Sequence, residues 1–196
     1  MASFTEDYLT PEALELIARA RAMAPRLAER ARAAEDAGLV PSETIAEMQE
    51  AGFFKVLQPK RWGGYEMDPR VFYSVQMALA EGCMATAWIY GVVGVHNWQL
   101  PLFPEQAQID VWGEDPFALA ATGFAFPCGK AVPVEGGYKV TGKWPFGSGV
   151  DASTWMLVGA MTEQKGGAPQ RRFFLIPQAD FKSQDNWQAY GLGGTG

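Results

Sequence analysis

Apolar residues recur at intervals of three and four along the first part of the chain, then give way to an alternation of period two. Thr10-Pro11-Glu12 supplies a capping hydroxyl, a proline at the first helical position and an acid in the first turn. The Ala/Leu/Arg/Glu-rich run behind it predicts a long amphipathic helix to about Ala37, stopped by Gly38 and broken or kinked at Pro25. A second helix is predicted from Ser42 to Ala51, with Ile45 and Met48 at core spacing and Gly52 as its stop. Asp68-Pro69 opens a third, carrying Val71, Phe72, Val75, Met77 and Leu79 to the region of Gly82. The fourth runs from about Ala85 through His96 to Trp98 and is apolar on every side, which predicts a central helix rather than a surface one. Pro104-Glu105-Gln106 begins a short fifth helix that ends around Trp112-Gly113.

Beyond Asp115-Pro116 the pattern is that of strands. Ala131-Val132-Pro133-Val134 and Tyr138-Lys139-Val140-Thr141 flank Glu135-Gly136-Gly137, a hairpin signal. Residues 155–161 and 172–176 are two further strands, separated by the polar, glycine-containing segment 162–170. Helices followed by strands, without βαβ alternation, predict an α+β protein: an N-terminal all-α domain over residues 1–115 and an antiparallel sheet or barrel over 116–196.

Composition narrows the class. Of 196 residues, 48% are hydrophobic, enough for a substantial core, and the net charge of −6 lacks the basic footprint of a nucleic-acid or anionic-membrane partner. The apolar stretch 84–95 falls short of the roughly 20 residues of a membrane-spanning helix, and the polar, acidic start is unlike a secretory signal. A cytoplasmic enzyme is the expectation. Cys83 and Cys128 form no disulfide framework, and a single histidine, His96, leaves no zinc-type ligand set, so no metal is expected. Dinucleotide, phosphate-loop, nucleophile-elbow and zinc-protease motifs do not occur.

Gly142-Lys143-Trp144-Pro145-Phe146-Gly147-Ser148-Gly149, preceded by Glu135-Gly136-Gly137-Tyr138-Lys139-Val140-Thr141 and followed by small residues and Trp155, resembles the middle β-domain of the acyl-CoA dehydrogenase superfamily. Three further features resemble its two-component flavin monooxygenase branch, which hydroxylates aromatics. They are Leu79-Ala80-Glu81-Gly82-Cys83 leading to Ala87-Trp88, then Val95-His96, and Trp187 with Gly191-Leu192-Gly193-Gly194-Thr195-Gly196. The resemblance runs from about residue 12 to the last. It implies a reduced flavin, FMNH2 or FADH2, delivered by a separate flavin reductase and reacting with O2 in a chamber kept dry. The substrate would be an aromatic small molecule, phenolic or polycyclic, and the whole enzyme a homotetramer.

The same resemblance assigns Ser148 to flavin contact and catalysis; from the residues alone a turn serine satisfying backbone is the favoured reading. It assigns His96 to the substrate pocket as a group that takes or shares a phenol proton, where the residue reading also allows a core histidine bonded to a carbonyl. Thr122, Gly123 and Phe124 stand where a flavin-contacting segment lies, ahead of Pro127-Cys128-Gly129, although a strand edge with a glycine kink fits them too. Trp144, Phe146 and Gly147 join the expected cofactor wall, and Trp88 the substrate pocket, with plain core packing the default reading of Trp88 and Trp155. Lys60-Arg61-Trp62-Gly63-Gly64-Tyr65 reads as a structural turn, not a phosphate cradle. Thr-Glu-Pro and Gly-Ser-Asp, found in ordinary acyl-CoA dehydrogenases, are missing, which favours the oxygenase over the dehydrogenase.

The family's C-terminal four-helix bundle lies outside these 196 residues. The chain is therefore expected to be an N-terminal half whose middle β-domain is cut short, binding reduced flavin weakly and turning over little by itself. The alternatives are an acyl-CoA dehydrogenase, using FAD to desaturate an acyl-CoA, and a non-catalytic fragment.

Overall fold

The computed structural model describes residues 7–125, 128–163, 167–189 and 191–195. Of the segments singled out above, the acidic start, Pro127, part of the 162–170 connection and Gly196 lie outside the described residues. Five α-helices precede five strands: α1 (Pro11–Ala37), α2 (Ser42–Glu50), α3 (Pro69–Ala80), α4 (Met84–Gln99), α5 (Glu105–Trp112), β1 (Ala120–Gly123), β2 (Gly129–Val134), β3 (Gly137–Gly142), β4 (Trp155–Thr162) and β5 (Gln170–Pro177). The α+β order of the sequence reading holds.

Helix α1 starts where Thr10 Oγ1 accepts the Ala13 N–H at 3.2 Å and ends at Gly38, whose φ of 76° is the left-handed cap. Its buried stripe of Leu16, Ile17, Ala20, Met23, Ala24, Leu27 and Ala34 recurs every three or four residues, so one face is committed to the core. The helix runs through Pro25 without a break, because apolar contacts on both sides of the proline carry it over the one missing N–H bond. α1 packs on α3 and α3 on α4, and α4 also touches α1 and β1. Where the end of α3 meets α1, a Cβ on Gly82 would stand 2.2 Å from the Ala24 carbonyl oxygen, so only glycine permits the approach. Tyr90 of α4 sits in an aromatic cluster with Phe53, Phe54 and Phe72 at centroid distances of 6.3, 5.8 and 4.6 Å.

α4 is central but not apolar-buried all round. Tyr90, Val93 and His96 are buried, whereas Met84, Trp88 and Trp98 are 58%, 43% and 55% exposed. At 43% exposure Trp88 is therefore not a core residue. Trp155 is half-buried against the small cluster of Leu100, Val111, Trp112 and Ala118.

The sheet is mixed rather than wholly antiparallel. β2–β3 and β4–β5 pair antiparallel, with Val134 opposite Gly137 across a two-residue turn in which Gly136 takes φ of 80°. β1 and β2 both pair parallel to β4, β1 along Trp155–Val158 and β2 at Met161–Thr162. The long path from β1 through the hairpin and the 143–154 turn makes this parallel return feasible, which a two-residue hairpin could not. Central β4 is covered on both faces, and its sequence is accordingly a near-continuous apolar run.

Both cysteines are free, Cys83 buried and Cys128 half-buried. Among the described residues no helix is long and apolar enough to cross a membrane, and no group of three or more His, Cys, Asp or Glu could hold a metal ion.

Candidate active site

Strand alternation sorts the sheet into two faces. Ala121, Met156 and Val158 share a face with Val140, Phe174 and Ile176, and Phe181 packs against them from beyond β5. Over this face lies a cavity of about 530 Å³, within the roughly 300–1,000 Å³ usual for small-molecule sites. Its floor is Met156, Val158 and Ile176. One side is the turn carrying Trp144, Phe146, Gly147 and Ser148, and the other is the strand-free segment from Asp180 to Trp187.

Trp144 is seated by glycines. A Cβ on Gly123, Gly129 or Gly142 would come within 2.8, 2.5 or 2.8 Å of the indole side chain, and its N–H donates to the Gly159 carbonyl at 2.9 Å. The absence of a side chain at Gly123 thus makes room for an aromatic wall. Phe146, 61% exposed, meets Trp187 edge-on at 6.0 Å across the cavity mouth.

Ser148 stands beside α4. Gly149 follows it with φ of 79°, and a Cβ there would press to 2.5 Å on Val93 Cγ2, so the turn must approach the helix closely. Trp88 donates its indole N–H to Ser148 Oγ at 3.3 Å. That bond occupies one acceptor position of the hydroxyl and leaves its proton to be given elsewhere. Among the described residues no acceptor takes it.

His96 lies two turns further along α4, about 12 Å from Trp88 along the axis. Its Nδ1 is 2.8 Å from the Ala120 carbonyl oxygen. Because the neighbouring Leu119 carbonyl already accepts from Trp155 of β4, the Ala120 carbonyl points to the opposite, open edge of β1, and His96 caps it. A carbonyl can only accept, so Nδ1 carries the proton and Nε2 is a bare acceptor. Burial pushes this imidazole down to about 4, against the upward pull of the Ala120 bond. At neutral pH it is an uncharged edge cap, poorly suited to removing a proton.

The structure therefore brings together Trp144, Phe146, Gly147 and Ser148 on the cavity, with Trp88 tied to Ser148. His96 is not on that cavity. Phe124 meets His96 at 5.9 Å and Phe173 at 4.9 Å, and Phe173 alternates with Phe174, which packs with Met156 and Val158, so this trio is on the other face of the sheet. Thr122 shares the Phe124 side by alternation, and Gly123 acts through Trp144. Met156, Ile176, Phe181 and the 180–187 segment were missed. Met156 and Ile176 are same-face partners in the β4–β5 register, a pairing that only the structure gives.

The cavity fits a flavin. Its aromatic and aliphatic walls suit a flat, largely apolar ring system, the Ser148 hydroxyl can donate to a ring nitrogen, and Lys143 and Lys182 on the lining can meet phosphate.

Residues 10–114 match the family model for the acyl-CoA dehydrogenase N-terminal domain. The chain belongs to the acyl-CoA dehydrogenase family. Over 178 residues it is 42% identical to the oxygenase subunit HsaA, a flavin-dependent monooxygenase of Rhodococcus jostii (strain RHA1), covering 91% of this chain and 46% of that protein. It is 34% identical over 183 residues to the oxygenase component of an FADH2-dependent resorcinol hydroxylase from Rhizobium sp. (strain MTP-10005), covering 93% and 44%. The crystal structure of the HsaA monooxygenase from Mycobacterium tuberculosis superposes with a TM-score of 0.89 at 40% identity, covering 93% of this chain and 47% of that one. The chain thus spans about half the length of the curated relatives it matches.

Proposed function

We propose that this chain is part of the oxygenase component of a two-component flavin-dependent monooxygenase that hydroxylates an aromatic substrate, phenolic or polycyclic. It takes reduced flavin, FMNH2 or FADH2, from a separate reductase, uses O2, and works as a homo-oligomer. The observation that carries this reading is the cavity whose wall is Trp144 and Phe146 and whose rim hydroxyl, Ser148, is oriented by the Trp88 indole N–H. The similarity to oxygenase subunits over nearly the whole chain supports it.

When bound, the flavin supplies the electrons that activate O2 for transfer to the ring. Trp144, Phe146 and Met156 keep water from the reacting face, which matters because water diverts the reaction to peroxide release. Ser148 holds a proton at its hydroxyl and directs it toward the ring, its lone pair already engaged by Trp88. His96 fixes the open edge of β1 and so the position of Gly123 under Trp144.

The test uses the protein from its native gene with a flavin reductase, NADH and a panel of phenols. Hydroxylated product that falls at least about tenfold in Ser148→Ala is expected. Reduction of bound FAD by an acyl-CoA, with no hydroxylated product from any phenol, would overturn the proposal in favour of a dehydrogenase.

A further inference from the structure

One wall of the cavity is held from a distance. Among the described residues between Phe181, which packs on the sheet, and the turn at 192–195 there is no helix or strand, so the place of Trp187 depends on how its ends are tied. The far end is tied at Leu192. Its carbonyl oxygen accepts from the Trp187 indole at 3.1 Å, from the Thr195 backbone at 3.1 Å and from the Thr195 hydroxyl at 2.9 Å. Thr195 is itself buried and lines the cavity.

This turn is docked on the end of α1 by one side chain. Glu35 Oε1 accepts the Gly191 N–H at 3.1 Å and Oε2 accepts the Gly194 N–H at 3.4 Å, so both carboxylate oxygens are used on one loop. The fit admits no side chain between them, since a Cβ on Gly193 would stand 2.9 Å from the Glu35 carboxyl. A bridge between Leu39 and Thr195 continues the contact just past the helix. Hydrogen bonds to an ionised acceptor are about twice as strong as neutral ones. A two-oxygen clamp on a glycine turn is therefore an effective anchor for a segment with little structure of its own.

We propose that Glu35 is a positioning residue for the cavity: its carboxylate clamps the 191–195 turn, and through Leu192 the turn holds Trp187 against Phe146. The consequence for ligand binding rests on the flavin reading of the cavity. Glu35 touches no cavity group itself, and its effect reaches the site through Leu192 and Trp187. Losing the clamp frees Trp187 to swing away from Phe146 and opens the mouth of the cavity to water.

The test follows hydrogen exchange by NMR at the Gly191 and Gly194 backbone N–H groups and the Trp187 indole N–H in parent, Glu35→Ala, Glu35→Gln and Gly193→Ala proteins. FMN and FAD affinities are measured by flavin fluorescence on the same samples. The inference expects all three protons to exchange about tenfold faster in Glu35→Ala, less so in Glu35→Gln, which keeps one acceptor, while amides in the middle of α1 are unchanged. Gly193→Ala, which pushes the turn off an intact carboxylate, should reproduce the effect. Flavin affinity should fall about fivefold or more alongside the exchange. An unchanged Trp187 indole in both Glu35→Ala and Gly193→Ala overturns the clamp, and so does faster exchange with parent-like flavin affinity. A parent that binds neither flavin sinks the flavin reading instead, and the Trp187 indole still decides whether Glu35 holds the wall.

Discussion

Acidification is expected to weaken this protein through His96. The imidazole is 1% exposed, its Nδ1–H is committed to Ala120, and burial holds it down to about 4. In the unfolded chain the same ring titrates near its ordinary value of about 6.5. Between those values the unfolded state binds more protons than the native state, so stability is fully present above about pH 6.5 and is lost as the pH falls toward 4. The whole shift corresponds to roughly 3 kcal/mol, and the step from about pH 7 to about pH 5 to roughly 2 kcal/mol. Because the sequence holds one histidine, a single imidazole resonance in the NMR spectrum reports it without assignment. The comparison is urea unfolding at the two pH values for the parent and for His96→Gln, whose amide N–H can still donate to Ala120 but does not titrate. The parent is expected to lose about 2 kcal/mol more than the variant. Equal losses, or an imidazole resonance titrating near 6.5 in the folded protein, would show that His96 does not carry the acid sensitivity.

Other perturbations test the packing. Tyr90 is fully buried, its hydroxyl has no hydrogen-bond partner among the described residues, and burial holds it in the neutral form. Tyr90→Phe is therefore expected to leave the urea midpoint unchanged or raise stability by about 1 kcal/mol, and a clear loss would reveal a partner for that oxygen. Gly82→Ala drives a Cβ into the Ala24 carbonyl and is expected to cost about 1–3 kcal/mol by the same assay; parent-like stability would mean that the α1–α3 approach is looser than described. Thr10→Ala removes the α1 cap at a cost of about 1 kcal/mol, read as lower protection of the Ala13 amide against hydrogen exchange.

What the sequence made legible was local. The caps at Thr10 and Asp68, the three-and-four spacing of α1 and α3, and the glycine at the β2–β3 turn are signals carried within a dozen residues, and each element formed where they placed it. The parallel pairing of β1 and β2 with β4 was not legible, because it depends on chain crossing from residue 123 to 155, and alternation carries no strand direction. Trp88 shows the same limit. An apolar helix with small residues on one face reads as buried, yet its exposed face is settled only by what packs against α3 and β1. Trp144, Phe146, Gly147 and Ser148, which line the cavity, come from a contiguous motif that forms one turn. His96 lies off this cavity and takes the carbonyl-bonded place that the residue reading also allowed; its apolar helix indicates burial and says nothing about which carbonyl the ring meets. The 180–187 wall and its anchor at Glu35 join residues more than 140 positions apart, beyond the reach of any local pattern.

We propose that the face of the sheet bearing Met156 and Val158, between the Ser148 turn and Trp187, receives the flavin ring. Backbone hydrogen exchange with and without reduced FMN or FAD, under anaerobic conditions, measures this directly. Protection is expected at residues 144–148 and 181–187 and is expected to vanish in Phe146→Ala. Protection centred instead on Phe124 and Phe173 would put the ring on the opposite face of the sheet and exclude this cavity as the flavin site.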